Sequence, residues 1–239
     1  MKSVISLSVN VFFCLGWKRV LVAGVDEAGR GCIIGPLVIA GIAVPKEKMP
    51  DIMALGVKDS KLLSPKKRSS LFQEIIKITP NFKIVKVPPS EIDKAVDCQI
   101  RLHKLNRLEA KTMAQIIEYL CPSEVYVDAA DIIAERFATH ISECLTIKPQ
   151  IISRHKADQL YPVVSAASIL AKVERDREIE LLRNEFGDLG SGYLHDKKTQ
   201  FFLTEWLKTN KDYPDWVRKS WKPAKKALSE RDTAQQKLF

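Results

Sequence analysis

An α/β fold built on a mixed sheet is what this chain of 239 residues predicts, and three observations carry the prediction. Short runs rich in Val, Ile and Phe recur at strand length. Segments whose apolar residues follow the 3.6-residue period fall between them. The first two runs read as a hairpin-like pair and the later ones alternate with helices, which implies a sheet of mixed direction with helices packed on it. Hydrophobic residues at 46% are ample for a core, and 28% charged residues suit a soluble protein. The length allows one large domain or a domain with an appendage.

Residues 1–19 read as an N-terminal extension. Val4-Ile5 and Val11-Phe12-Phe13 resemble a weak signal-peptide core, but Ser6, Ser8 and Asn10 interrupt it and it is too short to span a bilayer. Strands are predicted at 20–26, 36–44, 82–88, 124–128 and 149–153. Ser64-Pro65 opens the first helix, with the hydroxyl at the N-cap and the proline at the first helical position; Leu71, Phe72, Ile75 and Ile76 form its apolar face.

A second helix over about 101–120 has Leu102, Leu105, Leu108, Met113, Ile116, Ile117 and Leu120 on one face. Arg101, Lys104, Arg107 and Lys111 make a basic stripe on the other, read as a solvated face, with Asn106 beside it in reach of a nucleic-acid backbone. A third helix is expected at 132–145 and a fourth from Pro162 to about Phe186. The 165–172 part of the fourth is so rich in small residues that it can press its backbone against a sheet. Residues 197–239 hold eleven Lys and Arg against five Asp and Glu, which marks a basic helical C-terminal region. Its Trp206, Trp216 and Trp221 suit either nucleic-acid contact or pinning of a helix to the core. The last ten residues are expected to be loose. The organisation predicted is therefore an extension (1–19), a main α/β domain (20–196) and a basic helical region (197–239).

Net charge is 38 minus 29, or +9, and favours a polyanionic partner, because each neutralised phosphate releases condensed counterions. The five cysteines, at 14, 32, 98, 121 and 144, form no C-x-x-C pair and have no histidines at zinc-ligand spacing. They read as reduced, mostly buried thiols of a cytoplasmic protein with no membrane association.

The most informative stretch is Gly24-Val25-Asp26-Glu27-Ala28-Gly29-Arg30-Gly31. It puts two carboxylates at the end of an apolar strand and an arginine between two glycines. Carboxylates suit a hard cation, and glycines leave backbone N–H groups open to a phosphate or a sugar hydroxyl. Asp128 ends another predicted strand, and Asp158 follows a third through a short loop. Ligands collect at strand ends in open α/β sheets, so Asp26, Asp128 and Asp158 are candidates to converge. Each has the plainer alternative of a turn former or helix cap. Asp131 competes with Asp128 but more naturally caps the helix that follows. Glu27 follows Asp26 directly, and successive strand residues point to opposite faces. For both to serve one site the strand must end or bend at Glu27. Four clustered carboxylates would repel one another unless divalent cations compensated, and two metal ions about 4 Å apart also suit an in-line displacement at phosphorus.

The octapeptide resembles the signature of ribonuclease HII, a type 2 ribonuclease H. The resemblance continues in order through Lys58-Asp59-Ser60-Lys61, Val127-Asp128, His155-Lys156-Ala157-Asp158, the 165–172 segment and Gly190-Ser191-Gly192-Tyr193. It implies a ribonuclease H-like mixed sheet flanked by helices, with a helical C-terminal appendage. It also implies a monomeric endoribonuclease that cuts the RNA strand of RNA–DNA hybrids and incises 5′ to ribonucleotides embedded in duplex DNA. The family's metal ligands fall on Asp26, Glu27, Asp128 and Asp158, with two Mg²⁺ or Mn²⁺ ions as cofactors. Its readers of the ribose 2′-hydroxyl fall on Gly29, Arg30, Gly31 and Tyr193. Two departures are visible, Cys32-Ile33 after the Gly-Arg-Gly and Leu194-His195 after Tyr193, and the second leaves the shape of the tyrosine loop open. The alternatives are a ribonuclease HIII-like nuclease, a resolvase or transposase acting on DNA, and a non-catalytic hybrid-binding module. About twenty residues before the first strand are too few for the extra domain expected of ribonuclease HIII. The C-terminal Gln235-Gln236-Lys237-Leu238-Phe239 faintly resembles a sliding-clamp-binding tail.

Overall fold

The Val- and Ile-rich runs form one five-stranded sheet. In the computed structural model, which describes residues 20–57, 63–98 and 104–236, its strands are β1 (Leu21–Ala28), β2 (Leu37–Pro45), β3 (Phe82–Val87), β4 (Glu124–Asp128) and β5 (Gln150–Arg154). Their order is β3-β2-β1-β4-β5, and β1, β4 and β5 run parallel. Leu37–Val44 is buried at every residue, the mark of a strand covered on both faces. The helices are α1 (Met49–Ala54), α2 (Pro65–Ile78), α3 (Pro89–Asp97), α4 (Lys104–Leu120), α5 (Ala134–Ser142), α6 (Ala157–Leu160), α7 (Pro162–Phe186), α8 (Lys197–Thr209) and α9 (Lys222–Gln236). Among the described residues no helix is long and apolar enough to cross a membrane.

The mixed sheet flanked by helices and the helical C-terminal region are as expected. At the start of α2, Ser64 Oγ accepts the Lys67 N–H at 3.2 Å and Pro65 stands in the first turn, a cap of about 1 kcal/mol. Other details differ. β1 stays regular through Glu27 and Ala28 and does not bend at Glu27; the chain turns at Gly29, whose φ of +85° an L side chain rarely adopts. α5 spans Ala134–Ser142 and not 132–145, and Asp131 Oδ1 accepts the Ile133 N–H just ahead of its start. α9 runs to Gln236, through residues expected to be loose. The thiols are less buried than expected: Cys32 is buried, Cys98 and Cys121 half-buried and Cys144 exposed. The 1–19 extension, Lys58-Asp59-Ser60-Lys61, Arg101 and Lys237-Leu238-Phe239 lie outside the described residues.

The chain divides into two compact units, each assembled from three chain segments. One takes in residues up to Asp26, with Ala40–Ile84 and Ala110–Leu170. Its core sets Val22, Ala23 and Val25 of β1 and Val125 and Val127 of β4 among Met113, Ile116 and Ile117 of α4 and Val163, Val164 and Ala167 of α7. The backbone of α7 meets the sheet at Val163 and Val164, just ahead of the small-residue stretch 165–172, and the glycine that permits this lies in β1. A Cβ on Gly24 would lie 2.3 Å from the Val163 carbonyl carbon, so only glycine fits there.

The other unit comprises Glu27–Ile39, Val85–Glu109 and the chain from Ala171 onward. Its core gathers Ile33, Ile34, Ile179, Leu189, Leu203, Tyr213 and Val217, with Trp206, Trp216 and Trp221 packed against it. Trp216 lies 4.9 Å from Phe186 and 5.6 Å from Trp206 between ring centroids, so of the two readings for the tryptophans the structure supports pinning. Asp93 of α3 accepts the Lys219 and Ser220 N–H groups at 3.0 Å each and ties down the segment before α9.

Candidate active site

Strand register assembles the acids. β1 and β4 pair from Val22↔Glu124 to Val25↔Val127, and one step further lie Asp26 and Asp128. Residues in register on neighbouring strands share a face at a strand spacing of about 5 Å. Asp26 also shares that face with Gly24, against which α7 begins. Asp128 is in register with Arg154, the last residue of β5. Beyond it Lys156 takes a left-handed conformation at φ 56°, and the next residue, Ala157, donates its N–H to Asp128 Oδ1 at 3.1 Å. Asp158 follows at once in α6. Such a conformation at a non-glycine residue costs about 1–3 kcal/mol and is typically retained at functional sites.

Asp26 is 4% exposed and Asp158 5%, whereas Glu27 and Asp128 are half-buried. Glu27 Oε2 and Asp158 Oδ1 are buried oxygens that accept no hydrogen bond, although both carboxylates interact elsewhere. The backbone thus brings Asp26, Asp128 and Asp158 to neighbouring strand ends of one unit. Their carboxylates are not closed around a common point: among the described residues, no three His, Cys, Asp or Glu side chains are gathered to hold a metal ion. The donor chemistry nevertheless fits Mg²⁺ or Mn²⁺, since all four acids offer hard oxygen ligands. Asp131 is occupied otherwise. Its carboxylate accepts both Arg136 Nε, at 3.0 Å, and Arg136 Nη2 besides the Ile133 N–H.

In the other unit, the Gly29-Arg30-Gly31 turn is held from behind by a buried arginine. Arg218 donates to the carbonyls of Gly29 at 2.6 Å, Arg30 at 2.7 Å and Gly35 at 3.2 Å. Burial brings its guanidinium down to about 10, still charged at neutral pH. The Arg30 side chain lies on α4: Nε donates to both oxygens of Glu109, at 2.8 and 3.1 Å, and Nη2 to Asn106 Oδ1 at 2.7 Å. Asn106, expected to face a nucleic-acid backbone, thus receives Arg30. Lys104, from the expected basic stripe, donates to the Val96 and Cys98 carbonyls after α3.

The tyrosine loop joins this turn through a backbone bridge between Cys32 and Tyr193. Arg175 of α7 lies 4.8 Å from the Tyr193 ring centroid and donates to Cys32 Sγ at 2.9 Å and to the Ser191 carbonyl. The His195 ring stacks on Tyr193 at 5.4 Å. Both departures from the family pattern, Cys32 and His195, therefore touch Tyr193. Burial, assisted by Cys32, pushes the Tyr193 phenol up to about 12, so it stays protonated and able to donate.

Sequence reasoning missed Glu109, Arg175 and Arg218. Only Glu109 carried a signal: it stands four residues from both Leu105 and Met113, on the apolar face of α4, where an acid is out of place.

The family model described as Ribonuclease HII matches residues 23–224. The ribonuclease HII of Pyrococcus abyssi is 46% identical over 207 residues, covering 86% of this chain and 90% of that protein. The crystal structure of ribonuclease H2 from Pyrococcus horikoshii OT3 superposes with a TM-score of 0.82 at 42% identity, covering 89% of this chain and 99% of that one. The ribonuclease HII in a PCNA complex from Archaeoglobus fulgidus superposes with a TM-score of 0.76 at 43% identity, over 85% of this chain and 96% of that one. A ribonuclease HIII structure determined with Mn²⁺ shares the fold, with a TM-score of 0.71 at 20% identity. With the family model spanning most of the chain and near-half identity to full-length relatives, this protein belongs to the ribonuclease HII family and is a ribonuclease H hydrolase.

Proposed function

We propose that the protein hydrolyses the RNA strand of RNA–DNA hybrids and incises duplex DNA on the 5′ side of an embedded ribonucleotide, leaving a 5′-phosphate and a 3′-hydroxyl. The observation that carries this reading is the strand register that sets Asp26 beside Asp128, with Asp158 on the turn tied to Asp128 through Ala157. Asp26, Glu27, Asp128 and Asp158 are the ligands of two divalent cations, Mg²⁺ or Mn²⁺. Bound cations of this kind supply a water activated at neutral pH and charge for the attacking and leaving oxygens. Glu27 reaches this role from a regular strand, so its longer side chain must turn back toward the face of Asp26.

The chain's remaining work is recognition. The Gly29-Arg30-Gly31 backbone contacts the ribose 2′-hydroxyl, the one group that separates RNA from DNA at a given position. A Cβ on Gly31 would meet nothing within 4 Å, which supports an open approach to this turn. Tyr193, braced by Arg175 and Cys32, stacks on the neighbouring sugar. The same proposal includes action as a monomer and a sliding-clamp contact through 235–239, for which the PCNA complex of the Archaeoglobus fulgidus relative is the precedent.

The test is cleavage of a labelled DNA duplex holding one ribonucleotide, with Mg²⁺, by wild type and Asp128→Asn. A cut 5′ to the ribonucleotide that disappears in the variant is expected. Cutting of long hybrids with the single ribonucleotide ignored would refute the roles of Gly29–Gly31 and Tyr193. Undiminished cutting by Asp128→Asn would refute the metal site.

A further inference from the structure

Among the described residues, Arg30 is anchored by one edge and open at the other. A guanidinium carries five N–H donors in one plane. Nε and one hydrogen of Nη2 go to Glu109 and Asn106, and the Arg30 carbonyl is fixed separately by Arg218. Nη1 takes part in none of these bonds, and the side chain stays 39% exposed. The donors left over, on Nη1 and Nη2, form the end-on fork that matches two oxygens of a phosphate. Glu109 is fully buried on the face of α4 that also buries Thr112, Met113 and Ile116. A buried carboxylate there is costly to hold, and a leucine like those at 105 and 108 would pack without that cost. What the acid contributes is direction. Its two oxygens grip Nε, Asn106 grips Nη2, and together they fix the plane of the ring that a free arginine on a loop would let swing.

We propose that Glu109, with Asn106, is a positioning residue that aims the open edge of Arg30 at a backbone phosphate of the bound nucleic acid. This rests on the reading that the Gly29–Gly31 turn touches substrate.

The experiment measures KM and kcat on a duplex with one embedded ribonucleotide across salt concentrations, for wild type, Arg30→Gln, Glu109→Gln and the double variant. Melting temperatures are taken alongside. A lost phosphate contact of this kind is worth about tenfold in KM and about one unit in the slope of log affinity against log salt. Both single variants should show that loss with kcat within about twofold of wild type, as expected for lost substrate binding. The double variant should be no worse than Arg30→Gln alone, because Glu109 acts through Arg30. If Glu109→Gln fails to fold, Asn106→Ala carries the same test, with an expected rise in KM of about threefold. Two results overturn the inference while leaving the loop's role intact: Arg30→Gln weakens binding but Glu109→Gln does not, or Glu109→Gln lowers kcat and adds fully to Arg30→Gln. If Arg30→Gln leaves KM and the salt slope unchanged, the substrate role of the turn fails, and the inference with it.

Discussion

Gly24 is the position where one added methyl group should do the most damage for its size. A Cβ there would lie 2.3 Å from the Val163 carbonyl carbon, 2.4 Å from its oxygen and 2.5 Å from the Val164 nitrogen. These are backbone atoms in the first turn of α7, so no rotamer change relieves the clash. Either α7 lifts by about 1 Å or β1 shifts, and both separate surfaces packed at core density. Overpacking a core costs about 1–3 kcal/mol, and a rigid backbone contact belongs at the upper end. At about 3 kcal/mol, a chain of this size should lose roughly 6–12 °C in Tm. Calorimetry or far-UV circular dichroism of Gly24→Ala against wild type reads this directly. Activity should fall further than the folded fraction does, because Asp26 lies two residues on along the same strand face. A Tm within about 2 °C of wild type would refute the close-packing argument, since changes that small are typical of uncrowded sites.

Gly31→Ala is the counterpart: its Cβ would meet nothing within 4 Å, so Tm should stay within about 2 °C, while incision at a single ribonucleotide falls much more than cutting of a long hybrid. Arg218→Met should remove donors from the carbonyls of Gly29, Arg30 and Gly35 and cost about 3 kcal/mol, visible as a large Tm drop; Arg218→Lys should rescue little, because one ammonium lacks the planar fork. Burial raises the Glu109 carboxyl to about 7, although Arg30 and Arg218 pull the other way. The folded state then holds a proton that the unfolded state releases near 4.5, so this group's contribution to stability declines as pH rises from about 4.5 to about 7. Melting curves across that range should show a decline in wild type that is reduced in Glu109→Gln; parallel curves would contradict the raised value.

Much of the architecture was legible because it depends on local pattern. Five Val- and Ile-rich runs became the five strands within a few residues, and the Ser64-Pro65 cap and the span of α7 were readable from single residues whose preferences are strong. The short helices α1, α3 and α6 were not, since pieces of four to nine residues carry too little periodicity to register. The last ten residues are expected to be loose because chain ends usually are, yet α9 is helical to Gln236. At the candidate site, the motifs alone single out Asp26, Glu27, Asp128 and Asp158, and the Gly29–Gly31 turn.

Local pattern is enough to place the chemistry on offer: acids at strand ends, glycines around an arginine, and a family pattern in order. Which groups support that chemistry depends on long-range packing. Glu109, Arg175 and Arg218 lie 79, 143 and 189 positions from the residues they hold, and no local signal encodes a hydrogen bond across such a separation. Their burial explains their force. A charged group away from water must find a partner, so the fold turned three isolated charges into the frame on which the Gly29–Gly31 turn and Tyr193 are set.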